Sequence, residues 1–310
     1  MKTSLNSEIP YRTLGRTGER VSVIGLGGFH ISKPNNENEG IQIVRTAIDN
    51  GINFLDNSWD YAGGISEIRM GKALRDGYRN KAFLMTKIDG HDSKTATRQL
   101  DESLQRLQTD VIDLLQIHEV IRMSDPEIIF SPGGSMEALV EAKKAGKIRY
   151  IGFTGHKSPD IHLKMLQTAR DNGFKFDTLQ MPLNLLDAHC NSFEKKVLPV
   201  ALREGIGVLG MKSICSGVLM QTKTVTAVDC LQYVMSLPVS VVITGCESLP
   251  ILRQALDAAR SYRPSEGKWA ALLAKTKEAG SDGKLERYKT ETMYDGTDHN
   301  PQWLGKNNLP

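Results

Sequence analysis

Four residues whose side chains suit proton transfer follow consecutive apolar runs of the sequence. Asp56 and Tyr61 come after the run that ends at Leu55, Lys87 after the next run, and His118 after the run beyond it. Reduction of a carbonyl by hydride needs a neutral acid beside the developing alkoxide, and the Tyr61 phenol can supply that proton. A phenol has a reference pKa of about 10, so we expect the Lys87 ammonium to lower it by favouring the phenolate. Asp56 would keep the lysine charged, and His118 would donate a hydrogen bond to the substrate oxygen.

The apolar runs start mostly about 30 residues apart, which is the length of a β-strand with its crossover helix. The eight runs are Val21–Leu26, Ile52–Leu55, Ala82–Met85, Val111–Ile117, Ile148–Phe153, Thr178–Met181, Gly207–Met211 and Val239–Ile243. Eight evenly spaced units without a domain break favour a closed (β/α)₈ TIM barrel over a doubly wound open sheet. Neighbouring strands of a barrel end at the same mouth, where barrel active sites lie, so the four side chains should converge there.

The segments around these runs complete the predicted architecture. Helical periodicity is found in Thr95–Leu107, Ile161–Arg170 and Ile251–Ala259. Tyr11–Gly25 contains Gly-Arg-Thr-Gly between two β-prone pieces, which predicts a β-hairpin that closes the bottom of the barrel. We predict one domain over residues 1–310, with the hairpin and barrel in 8–260 and a C-terminal extension in 261–310. Within the extension, Glu266–Ala279 is expected to be helical.

Composition narrows the class of protein. A net charge of +3 argues against nucleic acid or an anionic membrane as a partner. The N-terminus lacks the apolar core of a secretory signal, and no run of about 18 apolar residues occurs. The four cysteines form no Cys-x-x-Cys pair, which suits reduced thiols. We therefore expect a soluble cytoplasmic protein with a small-molecule partner, and the sequence does not indicate its oligomeric state.

Two strings carry a resemblance to a known family. The first string covers the predicted hairpin and the first apolar run and reads Tyr-Arg-Thr-Leu-Gly-Arg-Thr-Gly-Glu-Arg-Val-Ser-Val-Ile-Gly-Leu-Gly. The second string, Gly146–His156, spans the fifth run. With the four residues above, they resemble the aldo-keto reductase superfamily from about Tyr11 to Arg260. The resemblance implies reduction of aldehydes or ketones by NAD(P)H. It assigns the general acid to Tyr61, the tuning of that acid to Lys87 and Asp56, and carbonyl orientation to His118.

The resemblance also implies where the nicotinamide is held. Its carboxamide would contact the end of the fifth strand and a glutamine of the sixth, which Gln180 matches. The usual Ser-Asn pair is replaced here by Thr154 and Gly155, so Asn184 or a backbone group would supply the missing contact. Met211 stands where many relatives place a tyrosine against the nicotinamide, and its polarisable sulfur can fill that place.

The cofactor phosphates are implied to lie farther along the chain, at Lys212, Gly217, Gly245, Ser248 and Arg253. Backbone amides and Ser248 at the start of a helix suit a phosphate. Glu247 would repel a 2′-phosphate but could accept a hydrogen bond from a free 2′-hydroxyl. Family habit favours NADP(H), but Glu247 and the absence of a basic cluster in this stretch of the sequence keep NAD(H) possible.

Candidate substrate contacts are Phe29, His30 and Trp59, because each lies just after a predicted strand. Tyr294 is a candidate lid residue; the other interpretation is that it covers the side of the barrel or an oligomer contact.

Two other functions would also use residues of this sequence. A metal-dependent barrel hydrolase could use His30, His91, His118 and His156, but no His-x-His or His-Glu-x-x-His spacing occurs, and we predict no metal site. A cofactor-binding regulatory or redox-sensing protein of the same fold, with slow turnover, is the second alternative.

Overall fold

Eight parallel strands close into a barrel in the computed structural model, which describes residues 8–305. A two-stranded antiparallel hairpin precedes it, made of β1 (Tyr11–Thr13) and β2 (Arg20–Ser22). The barrel strands are β3 (Ile24–Gly27), β4 (Phe54–Asp56), β5 (Phe83–Ile88), β6 (Ile112–Ile117), β7 (Ile148–Thr154), β8 (Thr178–Pro182), β9 (Gly207–Met211) and β10 (Val241–Gly245). Each pairs with the next along the chain, and β10 pairs with β3, which closes the ring. The predicted (β/α)₈ barrel is confirmed.

Helices surround the barrel. They are α1 (Glu37–Asp49), α2 (Ile65–Ala73), α3 (Ser93–Leu107), α4 (Asp125–Phe130), α5 (Ser135–Lys144), α6 (Pro159–Asp171), α7 (Phe193–Lys196), α8 (Leu198–Arg203), α9 (Val218–Gln221), α10 (Ala227–Ser236), α11 (Leu249–Arg260), α12 (Glu266–Gly280), α13 (Arg287–Thr290) and α14 (Gly296–His299). Helix α3 shows why they form. Asp92 caps its first turn by accepting from the Thr95 amide at 2.8 Å, and Leu100 and Leu107 bury one face.

The hairpin closes the bottom of the barrel, as its sequence predicts. Leu14 and Val21 pack with Phe54 and Phe83 inside the barrel, in a cluster separate from the larger core between strands and helices. Arg12 holds the hairpin in place by donating to three backbone carbonyls near the end of α10. The lower part of the barrel is therefore filled, and the mouth at the carboxyl ends of the strands is left for a site.

The C-terminal extension runs from α12 across that mouth. Tyr288 is fully buried, and its hydroxyl accepts from the Asn184 amide at 2.7 Å beyond β8. Asp295 bonds His156 beyond β7 at 3.0 Å. Glu119 beyond β6 accepts from the backbone amides of residues 296 and 297. These contacts fasten the extension to three neighbouring strand ends.

Helix α12 matches the helix expected in the extension to within one residue. Among residues 8–305, no helix combines the length and the apolar character needed to cross a lipid bilayer.

Candidate active site

Lys87 and Tyr61 meet at the mouth of the barrel. Asp56 ends β4 and Lys87 lies near the end of β5, and their side chains form an ion pair that is almost fully buried. The Lys87 ammonium also donates to the backbone carbonyl of Asn57 at 2.7 Å and to the Tyr61 hydroxyl at 3.2 Å. The structure thus brings together the three residues that the sequence assigned to the acid and its partners.

Backbone geometry fixes Tyr61 against Lys87. The amides of Asn57 and Trp59 donate to the carbonyls of Met85 and Lys87 at 2.9 and 3.0 Å, which continues the β4–β5 pairing past the end of β4. A 3₁₀ turn then begins at Tyr61, and the left-handed residues that follow it turn the chain away into α2. Tyr61 is therefore held where the pairing stops.

Burial raises the pKa of the Tyr61 phenol well above its ordinary value, and the carboxylates of Asp56 and Asp60 raise it further. The nearby Lys87 ammonium favours the phenolate, but burial and the carboxylates outweigh it, so the pKa of Tyr61 is raised overall and not lowered as we expected. The phenol keeps its proton through neutral pH. It can then release that proton to an alkoxide, which is a much stronger base than water.

His118 lies on the other side of Tyr61, with ring centroids 5.8 Å apart. Its Nδ1 is 2.9 Å from an Asp89 carboxylate oxygen, 3.2 Å from the Ser58 hydroxyl and 3.4 Å from an Asp60 carboxylate oxygen. Within residues 8–305, Nε2 makes no hydrogen bond, and 11% of the side chain stays exposed. Nε2 is thus the nitrogen that a substrate oxygen can reach.

Sequence reasoning missed Asp60 and Asp89. Their positions carried a signal, since Asp60 directly precedes Tyr61 and Asp89 follows Lys87 by two residues. Among the described residues, one atom each of Asp60, Asp89 and His118 lies within 4.8 Å of the others. The 2.9 Å separation of Asp89 and His118 is an ordinary hydrogen-bond length, so these two residues are joined by a hydrogen bond.

The four histidines of the hydrolase alternative are not gathered at one point. His156 bonds Asp295, and His91 is fully buried with neither ring nitrogen hydrogen-bonded among the described residues.

An aromatic edge borders the candidate site. Phe29 is 47% exposed, and its ring contacts those of Tyr61 and His30 edge to face, each at 5.4 Å. The His30 ring packs so closely on Gly245 of β10 that a Cβ there would overlap it. Phe29 and His30 therefore lie on the same rim as Tyr61, between the first and last barrel strands.

Trp59 and Tyr294 are placed differently. The Trp59 indole donates to Glu102 of α3 at 2.6 Å and contacts the Trp303 ring edge to face, so it faces α3 and the extension. Tyr294 lies over the Lys212 ammonium, 5.6 Å from ring centroid to nitrogen. Trp59 is thus not gathered with the rim residues, whereas Tyr294 belongs to the part of the extension that crosses the mouth.

Polar atoms without partners mark the part of the mouth formed by β7, β8 and β9. Among the described residues, the Thr154 hydroxyl, the Gln180 carbonyl oxygen and the Ser213 hydroxyl are buried and make no hydrogen bond. Thr154 ends β7, Gln180 lies within β8, and Ser213 follows β9 by two residues. Buried polar atoms without partners are costly, and a carboxamide would offer the donors and acceptor that satisfy them. Half-buried Met211 ends β9 beside them, so this edge fits a nicotinamide.

Asn184 does not join that edge. Its amide nitrogen donates to Tyr288, and its carbonyl oxygen accepts from the backbone amides of Leu186 and Asp187 at 2.8 and 3.1 Å. The suggestion that Asn184 replaces the missing asparagine is therefore not supported, because its hydrogen-bonding groups are used to hold the extension.

The candidate phosphate residues line the ends of β9 and β10. The Lys212 ammonium lies over the Tyr288 ring at 5.2 Å and makes no ion pair among residues 8–305. Burial lowers the pKa of Lys212. Gly217, with φ of 91°, ends a left-handed stretch of loop. Ser248 caps α11 without a side-chain hydrogen bond, and Arg253 is exposed one turn later. Glu247, also exposed, precedes Ser248.

Comparisons with known proteins agree with this geometry. The model of the aldo/keto reductase family matches residues 23–232. L-galactose dehydrogenase of Arabidopsis thaliana is 31% identical over 227 residues, covering 69% of this chain and 68% of the plant protein. Aldo-keto reductase AFTS1 of Alternaria alternata is 30% identical over 252 residues, and the match covers 68% of this chain and 66% of the Alternaria protein. The chain belongs to the aldo/keto reductase family.

A solved structure extends the comparison to the fold. Aldo-keto reductase AKR11C1 from Bacillus halodurans, in its holo form, superposes with a TM-score of 0.72 at 22% identity, covering 86% of this chain and 96% of that one. The matched regions span about two thirds of the two curated relatives.

Proposed function

We propose that this chain is an NAD(P)H-dependent reductase that converts an aldehyde or ketone to an alcohol, with Tyr61 as the proton donor. The observation that carries the proposal is the Lys87 ammonium, 3.2 Å from the Tyr61 hydroxyl while paired with buried Asp56. Family membership supports oxidoreductase chemistry, and the arrangement supplies the acid that carbonyl reduction requires.

Each residue has one task in this proposal. When bound, the reduced nicotinamide supplies a hydride to the carbonyl carbon. His118 Nε2 donates a hydrogen bond to the carbonyl oxygen and fixes its direction, and Tyr61 then delivers a proton to the alkoxide. The Lys87 ammonium stabilises the phenolate that remains, and Asp56 balances the lysine charge within the buried site. The active site thus ends the cycle one proton short, which solvent replaces.

Thr154, Gln180, Met211 and Ser213 are proposed to hold the nicotinamide end of the cofactor, and Lys212, Gly217, Gly245, Ser248 and Arg253 its phosphates. The N-terminus of α11 carries amides that suit a phosphate, and the Arg253 guanidinium is free among the described residues to meet it. We propose NADP(H) as the preferred cofactor, with NAD(H) possible because Glu247 disfavours a 2′-phosphate.

Phe29 and His30 are proposed to contact the substrate, with Tyr294 closing over it. An aromatic ring half exposed beside the acid favours substrates with an apolar group next to the carbonyl. Trp59 would act on the pocket through the extension rather than directly, since its ring packs against Trp303.

We further propose that residues 8–260 and the extension act as one domain, and that the protein works in the cytoplasm. The contacts of the extension with Glu119, His156 and Asn184 support the first point, because they join it to three strand ends.

A cofactor oxidation assay tests the function. The purified protein is mixed with NADPH or NADH and a panel of aryl and alkyl aldehydes, ketones and aldose sugars, and loss of the reduced cofactor is followed by absorbance. Repeated turnover with at least one carbonyl is expected. Tight cofactor binding with at most one slow turnover on every carbonyl would contradict the proposal and favour the regulatory alternative.

A further inference from the structure

His118 presents one of its ring nitrogens to an unusual number of oxygen atoms. Asp89, Ser58 and Asp60 all approach Nδ1, at 2.9, 3.2 and 3.4 Å. They come from two different parts of the chain, the segment after β4 and the end of β5. Two of the three are carboxylates, so the surroundings of Nδ1 are acceptor-rich and negatively charged.

We propose that Asp60 and Asp89 are positioning residues that keep a proton on both nitrogens of His118, so that Nε2 always carries the hydrogen that the substrate oxygen needs. The proposal rests on the proposed function, in which Nε2 faces the carbonyl. It adds two residues to the machinery and assigns His118 a positive charge.

The argument starts from the tautomers of histidine. A neutral imidazole has a single N–H, and the other nitrogen is only an acceptor. Asp89, as a carboxylate, can only accept, so it draws the hydrogen of His118 to Nδ1. A neutral His118 would then turn a lone pair toward the carbonyl oxygen, and the two would repel. While Asp89 is ionised, only a ring with hydrogens on both nitrogens bonds Asp89 and the substrate together.

The free oxygens of the two carboxylates support the charged ring. One oxygen each of Asp60 and Asp89 is buried without a hydrogen bond among the described residues. A buried carboxylate without compensation costs several kcal/mol. A cation between them offsets that cost, and the imidazolium of His118 is the cation within contact distance of both.

The charges around the group point the same way. The titratable groups around His118 and its two partners are Asp60, Asp89, Tyr61, Lys87 and Glu119. Burial alone would lower the pKa of the imidazole, yet Asp60 and Asp89 together raise it to about 10. Burial, followed by Asp60, raises the pKa of Asp89 to about 7. His118, Asp60 and Asp89 together therefore hold one more proton at neutral pH than a neutral imidazole with two carboxylates would.

Nuclear magnetic resonance of the intact protein tests this without any assay of activity. The Cε1–H resonance of His118 is assigned by its loss in His118→Gln and followed from pH 5 to pH 9. In the wild-type protein we expect the protonated position to persist to pH 9. In Asp89→Asn and in Asp60→Asn the midpoint should fall by about two pH units for each opposite charge removed.

A matched control is Ser58→Ala, which removes a contact to the same nitrogen without removing charge. The resonance should keep its wild-type behaviour in that variant. Asp89→Glu keeps the carboxylate, so its midpoint should lie much closer to the wild-type value than that of Asp89→Asn. A wild-type resonance that titrates near the ordinary histidine pKa of about 6.5 would overturn the proposal, as would equal shifts in Ser58→Ala and Asp89→Asn.

Activity gives a second readout that a purely structural role would not move. The alkaline limb of kcat for carbonyl reduction should lie about two pH units lower in Asp89→Asn than in the wild-type protein. A lowered kcat with an unmoved limb contradicts the proposal. If no carbonyl is reduced at all, the proposed function fails, and the titration of His118 still decides the charge of the ring.

Discussion

The side chain of Gln180 donates a 2.8 Å hydrogen bond to Asp56, on the carboxylate oxygen that does not face Lys87. One residue of the proposed nicotinamide edge is thereby joined to the buried ion pair that supports Tyr61. In the proposed function, the carbonyl oxygen of Gln180, which makes no hydrogen bond among the described residues, is available to the nicotinamide. The amide nitrogen of Gln180 instead bonds Asp56, which supports the proton donor. Cofactor binding and proton delivery thus share this side chain in the proposed function.

Gln180→Leu should therefore damage both functions. The variant leaves an oxygen of Asp56 without its donor, a loss of about 1.5 to 3 kcal/mol for a hydrogen bond to a charged group. We expect weaker binding of NADPH and a lower single-turnover rate. Thr154→Val, which lacks a link to Asp56, should weaken binding only. Fluorescence titration and stopped-flow absorbance measure the two effects, and an unchanged single-turnover rate in Gln180→Leu would count against the link.

Tyr61→Phe tests the assigned acid directly. Loss of a positioned proton donor should lower kcat by about 10²–10⁴-fold, while the dissociation constant of NADPH stays within a factor of about two, because the phenol is proposed to act on the substrate. Tyr78→Phe is the matched control, since that hydroxyl donates to Asp49 at the end of α1, away from the mouth. Equal losses in the two variants would contradict the role of Tyr61.

Lys87→Met should destabilise the protein as well as inactivate it. The side chains of Lys87 and Asp56 are 1% and 4% exposed, so the change leaves a buried carboxylate unpaired, at a cost of about 3–5 kcal/mol. Lys147→Met breaks an exposed pair with Asp101 and should cost at most about 1 kcal/mol. Urea unfolding measures both. The double change of Lys87→Met with Asp56→Asn should recover much of the lost stability, and no recovery would show that charge is not the cause.

Charge at the start of α11 should set the choice of cofactor. Glu247→Gln removes the carboxylate that repels a 2′-phosphate, so NADPH should bind about tenfold more tightly while NADH changes little. Arg253→Gln should weaken NADPH more than NADH. Parallel fluorescence titrations with the two cofactors supply the measurement. Equal effects of both substitutions on NADPH and NADH would place the adenosine elsewhere.

Buried His91 should make the protein sensitive to acid. Burial lowers the pKa of His91 to about 3, whereas an unfolded chain binds the proton near pH 6.5. Below pH 6.5 the unfolded state gains a proton that the folded state refuses, so stability falls by up to about 1.4 kcal/mol per pH unit. The stability advantage of the wild-type protein over His91→Leu should shrink between pH 6.5 and pH 4. His299→Gln, at an exposed site, should leave the slope unchanged, and parallel curves for His91→Leu would refute the assignment.

The sequence predicted the barrel and the convergence of four side chains because both follow from local periodicity. Residues at the ends of consecutive strands meet in any closed barrel, so Asp56, Tyr61, Lys87 and His118 needed no further information. The contacts of Asp60 and Asp89 with Nδ1 of His118 could not be predicted, since they depend on side-chain directions within loops. The raised pKa of Tyr61 was missed for a related reason: the sequence shows partners but not burial.

The proposed nicotinamide edge depends on long-range contacts that the sequence does not reveal. Asn184 carries the right amide for a nicotinamide, yet the structure uses it to hold Tyr288, more than a hundred residues later in the chain. Only a long-range contact decides between the two uses. The family resemblance implied a cofactor role for Gln180, but its bond to Asp56 crosses the barrel interior and cannot be inferred from sequence spacing.

The fastening of the extension has a consequence for how the protein is made. Glu119 follows His118 directly, and both it and His156 are buried; residues 296 and 297 bond the Glu119 carboxylate, and Asp295 bonds Nε2 of His156. During synthesis the barrel strands leave the ribosome long before those partners do. Until residues 295–297 are made, water takes the place of these contacts around Glu119 and His156. A barrel that closes before then lacks the hydrogen bonds that hold the loops after β6 and β7.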